Sequence, residues 1–599
     1  MRKILIILFA IICTISLYAQ QDKRLDGLET ELNDLLVATK APGFAVAIVE
    51  GNKIIYAKGF GYRDNEKKLA ADANTLYAIG SCTKAFTSSI LGQLRQDDKL
   101  SFDDSPIKYI PELKFFNNEM NNNITIKDMM CHRTGLPRHD FSWYLFPTAS
   151  KDSLIMRLQY QEPFTGLREK WYYNNFMFMA QGVIAERITG KSWEDNIRER
   201  FFKPLEMTRS DVSIAEMEKS TNAAIGYEMK HDSILNRTDY YTISGMSPAG
   251  AINSSVNEMS NWLIAWINKG RFKDKQIIPE AYLQEAISSQ MVIRGGLPEK
   301  EFPDMFMANY GYAWFISSYK GHYRVEHGGN IDGFSANTSF YPTDSIGIVV
   351  LVNQGGSSLP GLVRNAVSDR MLHAEKTDWV KVFKERQAKS KKEEQEAKIK
   401  STSGRIENTK PSHILQEYTG RYSHPGNGEF TISLQQDSLF AQFKLMKMYL
   451  RHEHYDIFEP FEVTKTGIDT AETGALRFNF ITNDAGEISA VKIKVEEELD
   501  AVEFKHKPNV IDVDSATLQK YTGDYELAGT PVKVYIKAGN KLFVFVTGQP
   551  EYELLAIDKN KFAIKALEGF KVEFVEAEDK SFKELNFVQP NGTYKATRK

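Results

Sequence analysis

Residues 77–94 read YAIGSCTKAFTSSILGQL, and Ser81 and Lys84 within this stretch organise the reading of the rest of the chain. A serine hydroxyl is a weak nucleophile near neutral pH and needs a neighbouring base. Residues three apart on a helix share a face, so Lys84 reaches the Ser81 hydroxyl if a helix opens here. Lysine acts as a base only if its pKa falls, which burial and nearby positive charge or dipole produce. At a helix opening, free backbone N–H groups and the positive dipole end also stabilise negative charge developing on an attacked carbonyl. A lone serine before a helix is by default an ordinary cap. Two distant strings, Tyr172-Tyr173-Asn174-Asn175 and His327-Gly328-Gly329, argue against that default.

Further strings lie on either side. PGFAVAIVEGNKIIYAKGFGYRD (42–64) reads as a hairpin turning at Gly51-Asn52. YAIGSCTKAFTSSILGQLRQDDKLSFDDSPIKYIPEL (77–113) is followed by ITIKDMMCHRTGLPRHD (124–140) and YNNFMFMAQGVIAERITGKSW (173–193). SPAGAINSSVNEMSNWL (247–263) and HGGNIDGFSANTSFYPTDSIGIVVLVNQ (327–354) complete the series. In this order and context they resemble the serine β-lactamase and penicillin-binding protein superfamily, in its class C β-lactamase-like branch, over roughly residues 26–375. A lone S-x-x-K is common by chance, whereas three motifs in order are specific.

The resemblance implies that Ser81 attacks an acyl carbon and forms an acyl-enzyme. The N–H groups of Ser81 and Asn330 would form the oxyanion hole, such donors contributing about 3 kcal/mol each. Tyr173 would shuttle protons between Ser81, the leaving group and water, while Asn175 would orient Lys84 and the substrate amide. Tyr172-x-Asn174 is a competing register; the downstream FMAQGVIAERITG favours Tyr173 and Asn175 and leaves Tyr172 a core or rim aromatic. His327 stands where the β-lactamases proper carry a lysine that helps bind a substrate carboxylate. Histidine is mostly neutral at pH 7, which counts against efficient β-lactam hydrolysis and fits the family's esterases and D-amino-acid peptidases. Gly328 and Gly329 let a substrate lie close against the strand backbone.

A chain of 599 residues exceeds a single core, so two to four domains are expected. The net charge of −3, without a basic stripe beyond one linker, offers no support for nucleic-acid binding. Met1-Arg2-Lys3, an apolar run over 4–12 and Leu17-Tyr18-Ala19 read as a signal peptide over 1–19, implying export to the periplasm. The run is too short to span a bilayer permanently. Lipoprotein anchoring at Cys13 is the minor alternative, because Ile12 precedes it where a small residue is usual. Cys82 and Cys131 remain; buried free thiols are favoured over a disulfide.

Helical spacing over 28–39 and strands at 44–50 and 53–60 precede a helical middle from 81 to about 290. Strand signals return at 310–316, 322–327, 334–341 and 346–353, and helix 359–373 closes the domain. This is an α+β layout, a β-lactamase-like antiparallel sheet flanked by helices, over residues 20–375. A Lys/Glu-rich charged helical linker covers 376–410. Leu415–Tyr422 (LQEYTGRY) then recurs as Leu518–Tyr525 (LQKYTGDY). Period-two alternation follows each copy, at Phe430, Ile432, Leu434, Leu439, Ala441 and Phe443, and again at Val532, Val534, Ile536, Leu542, Val544 and Val546. Two small antiparallel β modules are expected, 411–508 and 509–599. They are similar to the lipocalin-like domains that trail hydrolases of this type.

Other candidates have plainer readings. Gly245-Met-Ser247-Pro-Ala249-Gly250 half-matches a nucleophile elbow, but Ala249 replaces the required glycine; a loop before helix 255–267 is the better reading. His452, His454 and Asp456 alternate like metal ligands, yet no supporting cluster argues for zinc. His132, Arg133, His139 and Asp140 suit a turn at a cleft rim. Together these readings point to an exported serine hydrolase acting on a small amide or ester, without metal or cofactor. Its substrate would be a peptide with D-residues, a cell-wall fragment or an acyl ester. The alternatives are an acyltransferase using an alcohol or amine acceptor, and a binding protein that acylates once without turnover. Oligomeric state is not encoded in these motifs.

Overall fold

The computed structural model describes residues 22–599 except 241, 403–405, 471–475, 508–509, 538, 568 and 590, and except the side chains of 398–402. The expected signal segment 1–19, with Cys13, lies outside the described residues. The chain divides into two compact units. The first holds the chain up to Phe102, Gln181–Thr242 and Ser247–Glu393; the second holds Asp103–Ala180, Ile243–Met246 and Glu394–Lys599.

In the first unit, an antiparallel sheet runs in the order Met291–Val292, Asn309–Tyr310, Phe315–Tyr319, His322–Ile331, Phe334–Tyr341, Ile346–Val352, Gly43–Glu50, Lys53–Asp64 and Leu69–Ala70. Strands from the two ends of the region 20–375 meet at its centre, in register from Phe44↔Val352 to Glu50↔Ile346. These central strands are apolar on both faces because both faces are covered. Phe44, Val46, Ile48, Ile348, Val350 and Val352 pack into one cluster with Leu28, Leu32 and Leu35 of helix Leu28–Thr39 and with Leu359, Val363 and Val367 of helix Leu359–Met371. On the other face Leu263 and Ile267 of helix Val256–Ile267 come so close to Gly347 that an added Cβ would sit about 3 Å from both. The expected strand 310–316 is instead two short strands joined by a tight reversal. Ala313 at φ 62° and a Gly311 N–H to Trp314 carbonyl bond of 2.8 Å turn the chain there. The helical middle is likewise broken, with a small hairpin at Tyr227–Lys230 and Ile234–Arg237. Helix Trp379–Thr402 follows, anchored by Trp379, whose indole donates to Asp369 at 2.9 Å.

In the second unit, two antiparallel β modules each close on themselves. The first runs from Gly420–His424 to Val502–Lys507, which pair with each other, while Lys447–His454 pairs with Ile457–Thr464. The second is a closed eight-stranded barrel from Gly523–Leu527 to Gly592–Arg598. Phe430, Ile432, Leu439, Ala441 and Phe443 point into the first core, and Val532, Val534, Leu542, Val544 and Val546 into the second. The repeated octapeptide makes the same bond twice. The Tyr422 hydroxyl donates to the Tyr418 carbonyl at 2.9 Å, and the Tyr525 hydroxyl to the Tyr521 carbonyl at 3.0 Å.

The first barrel core also receives two side chains from outside the barrel sequence. Leu145 and Phe146 are buried in it, Phe146 with ring centroids 5.7 Å from Phe443 and 5.9 Å from Phe504. The Ser142 hydroxyl donates to the Gly426 carbonyl at 2.7 Å beside them. His452 bonds the Tyr455 carbonyl, while Asp456 accepts from Ser412 and Tyr418, so these two side chains serve the barrel wall.

Candidate active site

Ser81 lies in a short 3-10 turn, Gly80–Cys82, and the α-helix proper begins at Thr83. The expected helix thus opens two residues later than Ser81, because Gly80 enters at φ 50° and the Cys82 N–H bonds the Ile79 carbonyl. The spacing of three survives. Lys84 is fully buried, and its Nζ donates to Ser81 Oγ at 3.0 Å and to the Ala249 carbonyl at 2.7 Å. Ala249 belongs to the short helix Ser247–Gly250, so the half-matching elbow supplies a backbone acceptor and no nucleophile. Its approach depends on Gly182, where an added Cβ would overlap the Pro248 ring.

Strand His322–Ile331 carries the HGG string past this turn. An added Cβ on Gly329 would overlap the Ile79 carbonyl oxygen and lie 3.1 Å from the Ser81 nitrogen; one on Gly80 would lie 3.0 Å from the Asn330 nitrogen. The structure therefore brings Ser81, Lys84, Gly329 and Asn330 together, with the backbone nitrogens of Ser81 and Asn330 on the same short stretch of surface. Gly328 continues the strand opposite Asn337. The neighbouring strand Phe315–Tyr319 pairs only as far as Glu326. From His327 onward the strand runs beside the serine turn, which approaches it most closely at Gly329.

His327 is buried at 2% exposure. One ring nitrogen faces the Gly328 carbonyl at 2.6 Å and the other the Tyr310 hydroxyl at 3.0 Å. The carbonyl calls for a proton on Nδ1, leaving Nε2 to accept from the tyrosine. Burial, and the Lys84 charge nearby, push the imidazole down to about 3. It is a neutral structural ring. Cys82 donates to the His327 carbonyl, its thiol pushed up to about 11 by burial, and Cys131 is equally buried; both are free thiols.

Tyr173 and Asn175 belong to the second unit. Asn174 caps helix Asn175–Thr189, its Oδ1 accepting from the Met177 N–H at 3.1 Å, while Asn175 turns to Asp140 with an Nδ2–Oδ1 distance of 2.8 Å. The two asparagines thus have separate duties. The Tyr173 ring packs against the His132 ring at a tilt of 39°, centroids 4.4 Å apart, and the Arg138 guanidinium carbon lies 4.8 Å from the Tyr173 ring centroid. Tyr172, expected as a core or rim aromatic, is a hydrogen-bond donor: its hydroxyl bonds Glu498 of the first β module.

Asp140 is the residue that sequence reasoning undervalued. One of its oxygens accepts from Asn175 and from the Trp143 indole at 2.8 Å; the other accepts from Arg138 Nε at 2.7 Å. A carboxylate so placed holds both Asn175 and Arg138 in fixed rotamers. Its only signal in the sequence was the RHD triplet itself, which is equally at home in a turn.

Comparison with known proteins agrees with this geometry. The family model described as Beta-lactamase matches residues 25–368, and one described as a domain of unknown function (DUF3471) matches 404–508. Protein flp of Staphylococcus aureus (strain COL) is 27% identical over 337 residues, covering 55% of this chain and 64% of that protein. The chain thus spans just under two thirds of that relative. Unguisins hydrolase ungD' of Aspergillus campestris is 27% identical over 414 residues, 65% of this chain and 74% of that protein. The octameric penicillin-binding protein homologue from Pyrococcus abyssi shares the fold, with a TM-score of 0.54 at 20% identity, covering 80% of this chain and all of that one. With more than half of its length matched by one family model, and the serine, lysine and glycine strand of that region gathered at one turn, the chain belongs to the Beta-lactamase family.

Proposed function

We propose that the protein is an exported serine hydrolase that cleaves a small amide or ester through an acyl-enzyme on Ser81. The observation that carries this is the 3.0 Å bond between a fully buried Lys84 Nζ and Ser81 Oγ. Ser81 Oγ adds to the acyl carbon as its proton passes to a base, the neighbouring Lys84 amine or the Tyr173 phenolate that the family resemblance implies. The carbonyl oxygen gains charge against the Ser81 and Asn330 N–H groups. The tetrahedral intermediate collapses, the leaving amine or alcohol takes the proton, and water repeats the sequence to release the acid. Export rests on the N-terminal pattern over 1–19.

The neutral His327 supplies no cation for a carboxylate, which supports esters and uncharged amides over β-lactams. The Aspergillus campestris relative is named a hydrolase, which supports turnover over a protein that acylates once. The test uses purified residues 20–599 beside Ser81→Ala, with p-nitrophenyl esters, D-amino-acid anilides and nitrocefin, each with and without added alcohols, and products followed by mass spectrometry. Ser81-dependent release of acid is expected, with weak nitrocefin turnover. Acyl products on the added alcohol would replace the hydrolase by a transferase. A stable Ser81 adduct without turnover would replace it by a binding protein. Absence of any Ser81-dependent turnover or adduct would sink the acyl-enzyme reading.

A further inference from the structure

We infer that Arg138 is a positioning residue, a fixed cation whose charge lies against the Tyr173 ring and favours the phenolate form that a tyrosine needs to accept a proton. The inference rests on the reading of Tyr173 as proton carrier and adds the residue that tunes it.

Two observations place the charge. The guanidinium carbon is 4.8 Å from the Tyr173 ring centroid, within the range at which a cation is attracted to an aromatic face. Its position is held, because Asp140 accepts from Arg138 Nε at 2.7 Å while its other oxygen is held by Asn175 and Trp143. The RHD turn thus brings a held cation to the tyrosine. Arginine suits the duty, since its guanidinium stays protonated and stacks flat on a ring.

The other charged and titratable groups of the second unit around Arg138 and Tyr173 include His132, His139, Asp140, Tyr172, Glu496 and Glu498; burial pushes the His139 imidazole down to about 4, so it is uncharged near neutrality. Asp140 is paired with Arg138 and cancels part of its field. Glu498 is engaged by the Tyr172 hydroxyl. Glu496, of the first β module, is buried beside Asp140, and burial pushes its carboxyl up to about 7, so it carries only part of a charge near neutrality. The His132 ring centroid lies 4.4 Å from that of Tyr173, and its Nδ1 is the acceptor for the Asn174 N–H at 3.1 Å. A protonated nitrogen could not accept there, so this ring adds no second charge. Among these described residues of the second unit, the guanidinium is the one that brings positive charge to the ring. A charge at this distance, partly screened by solvent and by Asp140, is worth about one pH unit or somewhat more.

The experiment reads the tyrosine itself. The full chain is produced with 3-fluorotyrosine and followed by 19F NMR against pH, and the Tyr173 resonance is assigned by its loss in Tyr173→Phe. Wild type is compared with Arg138→Gln and with the charge-conserving Arg138→Lys. The Tyr173 titration should move up by about one pH unit or more in Arg138→Gln and by less than half of that in Arg138→Lys. The rising limb of kcat/KM should move with it. If Arg138→Gln titrates with wild type, or if both variants shift alike, the inference is overturned. Thermal melts of both variants separate this from misfolding, since the lysine variant keeps the charge in a similar volume. Turnover is not needed for the titration. Loss of the acyl-enzyme reading in the Ser81→Ala comparison would leave the NMR result standing, and the reverse also holds.

Discussion

The Asp140 carboxylate accepts from the Asn175 side-chain amide at 2.8 Å, which ties the loop after Met130 to the first residue of the helix that follows Tyr173. Asn175 cannot rotate without breaking this bond. Replacing Asp140 by Ala leaves a nearly buried amide without its charged acceptor and frees Arg138. Hydrogen bonds to a charged group are worth about 1.5–3 kcal/mol, so kcat/KM should fall by roughly ten- to a hundredfold. Steady-state kinetics on the best ester of the panel check this, and Asp140→Asn should recover part of the loss.

Gly328 and Gly329 are adjacent in sequence and unequal in space. An added Cβ on Gly328 finds its nearest neighbour, the Ala336 carbonyl oxygen, at an ordinary 3.6 Å, whereas one on Gly329 overlaps the Ile79 carbonyl oxygen. Gly328→Ala should keep the wild-type melting temperature within a degree or two. Gly329→Ala must push the strand from the serine turn, with overpacking costs of about 1–3 kcal/mol and loss of Ser81 acylation. Labelling with a fluorophosphonate probe, alongside a melting curve, distinguishes the two.

His327 gives stability a pH dependence of known sign. Its folded-state pKa is pushed to about 3, below the ordinary 6.5. Between these values the unfolded chain binds a proton that the folded chain does not, so folding is favoured above pH 6.5 and weakens as pH falls toward 3. His327→Gln should flatten that part of the curve. Urea midpoints of both proteins from pH 4 to 8 provide the check; parallel curves would remove His327 as the cause.

Phe146 predicts what the first β module does for the rest of the second unit. Its ring is 6% exposed and packs against Phe430, Phe443 and Phe504. Truncating a buried phenylalanine costs about 3–5 kcal/mol, so Phe146→Ala should speed limited proteolysis of the barrel. Deleting 411–599 exposes Leu145 and Phe146 together and should reduce soluble yield. Unchanged yield and unchanged rates on small and large substrates would show that the barrels are dispensable.

The repeated tyrosine bond is a matched pair. Tyr422→Phe and Tyr525→Phe each remove one donor to a carbonyl four residues back. Each should cost about 1 kcal/mol, more if the carbonyl is left unpaired. Chemical denaturation of each single variant against wild type measures this, and a clearly unequal pair would mean that the two copies no longer share one architecture.

Much of this was determined by the sequence. Alternation at Phe430, Ile432 and Ala441, and at Val532, Val534 and Val544, needs only the two-residue period of a strand, so the barrel interiors were legible. Leu28, Leu32 and Leu35 declare one helical face in the same way. Ser81 and Lys84 are three apart, and local helical geometry alone puts Nζ near Oγ. What spacing cannot carry is a contact between residues remote in the chain. Ala249 as the second acceptor of Lys84, Asp140 as the shared partner of Asn175 and Arg138, Glu498 under Tyr172 and Phe146 inside a barrel that starts some 270 residues later were all decided by tertiary structure. The neutrality of His327 has both origins. Its ordinary pKa is a property of the residue, but the shift to about 3 comes from burial beside Lys84. Desolvation depends on what the completed fold packs around a group, and no periodicity in the chain records that.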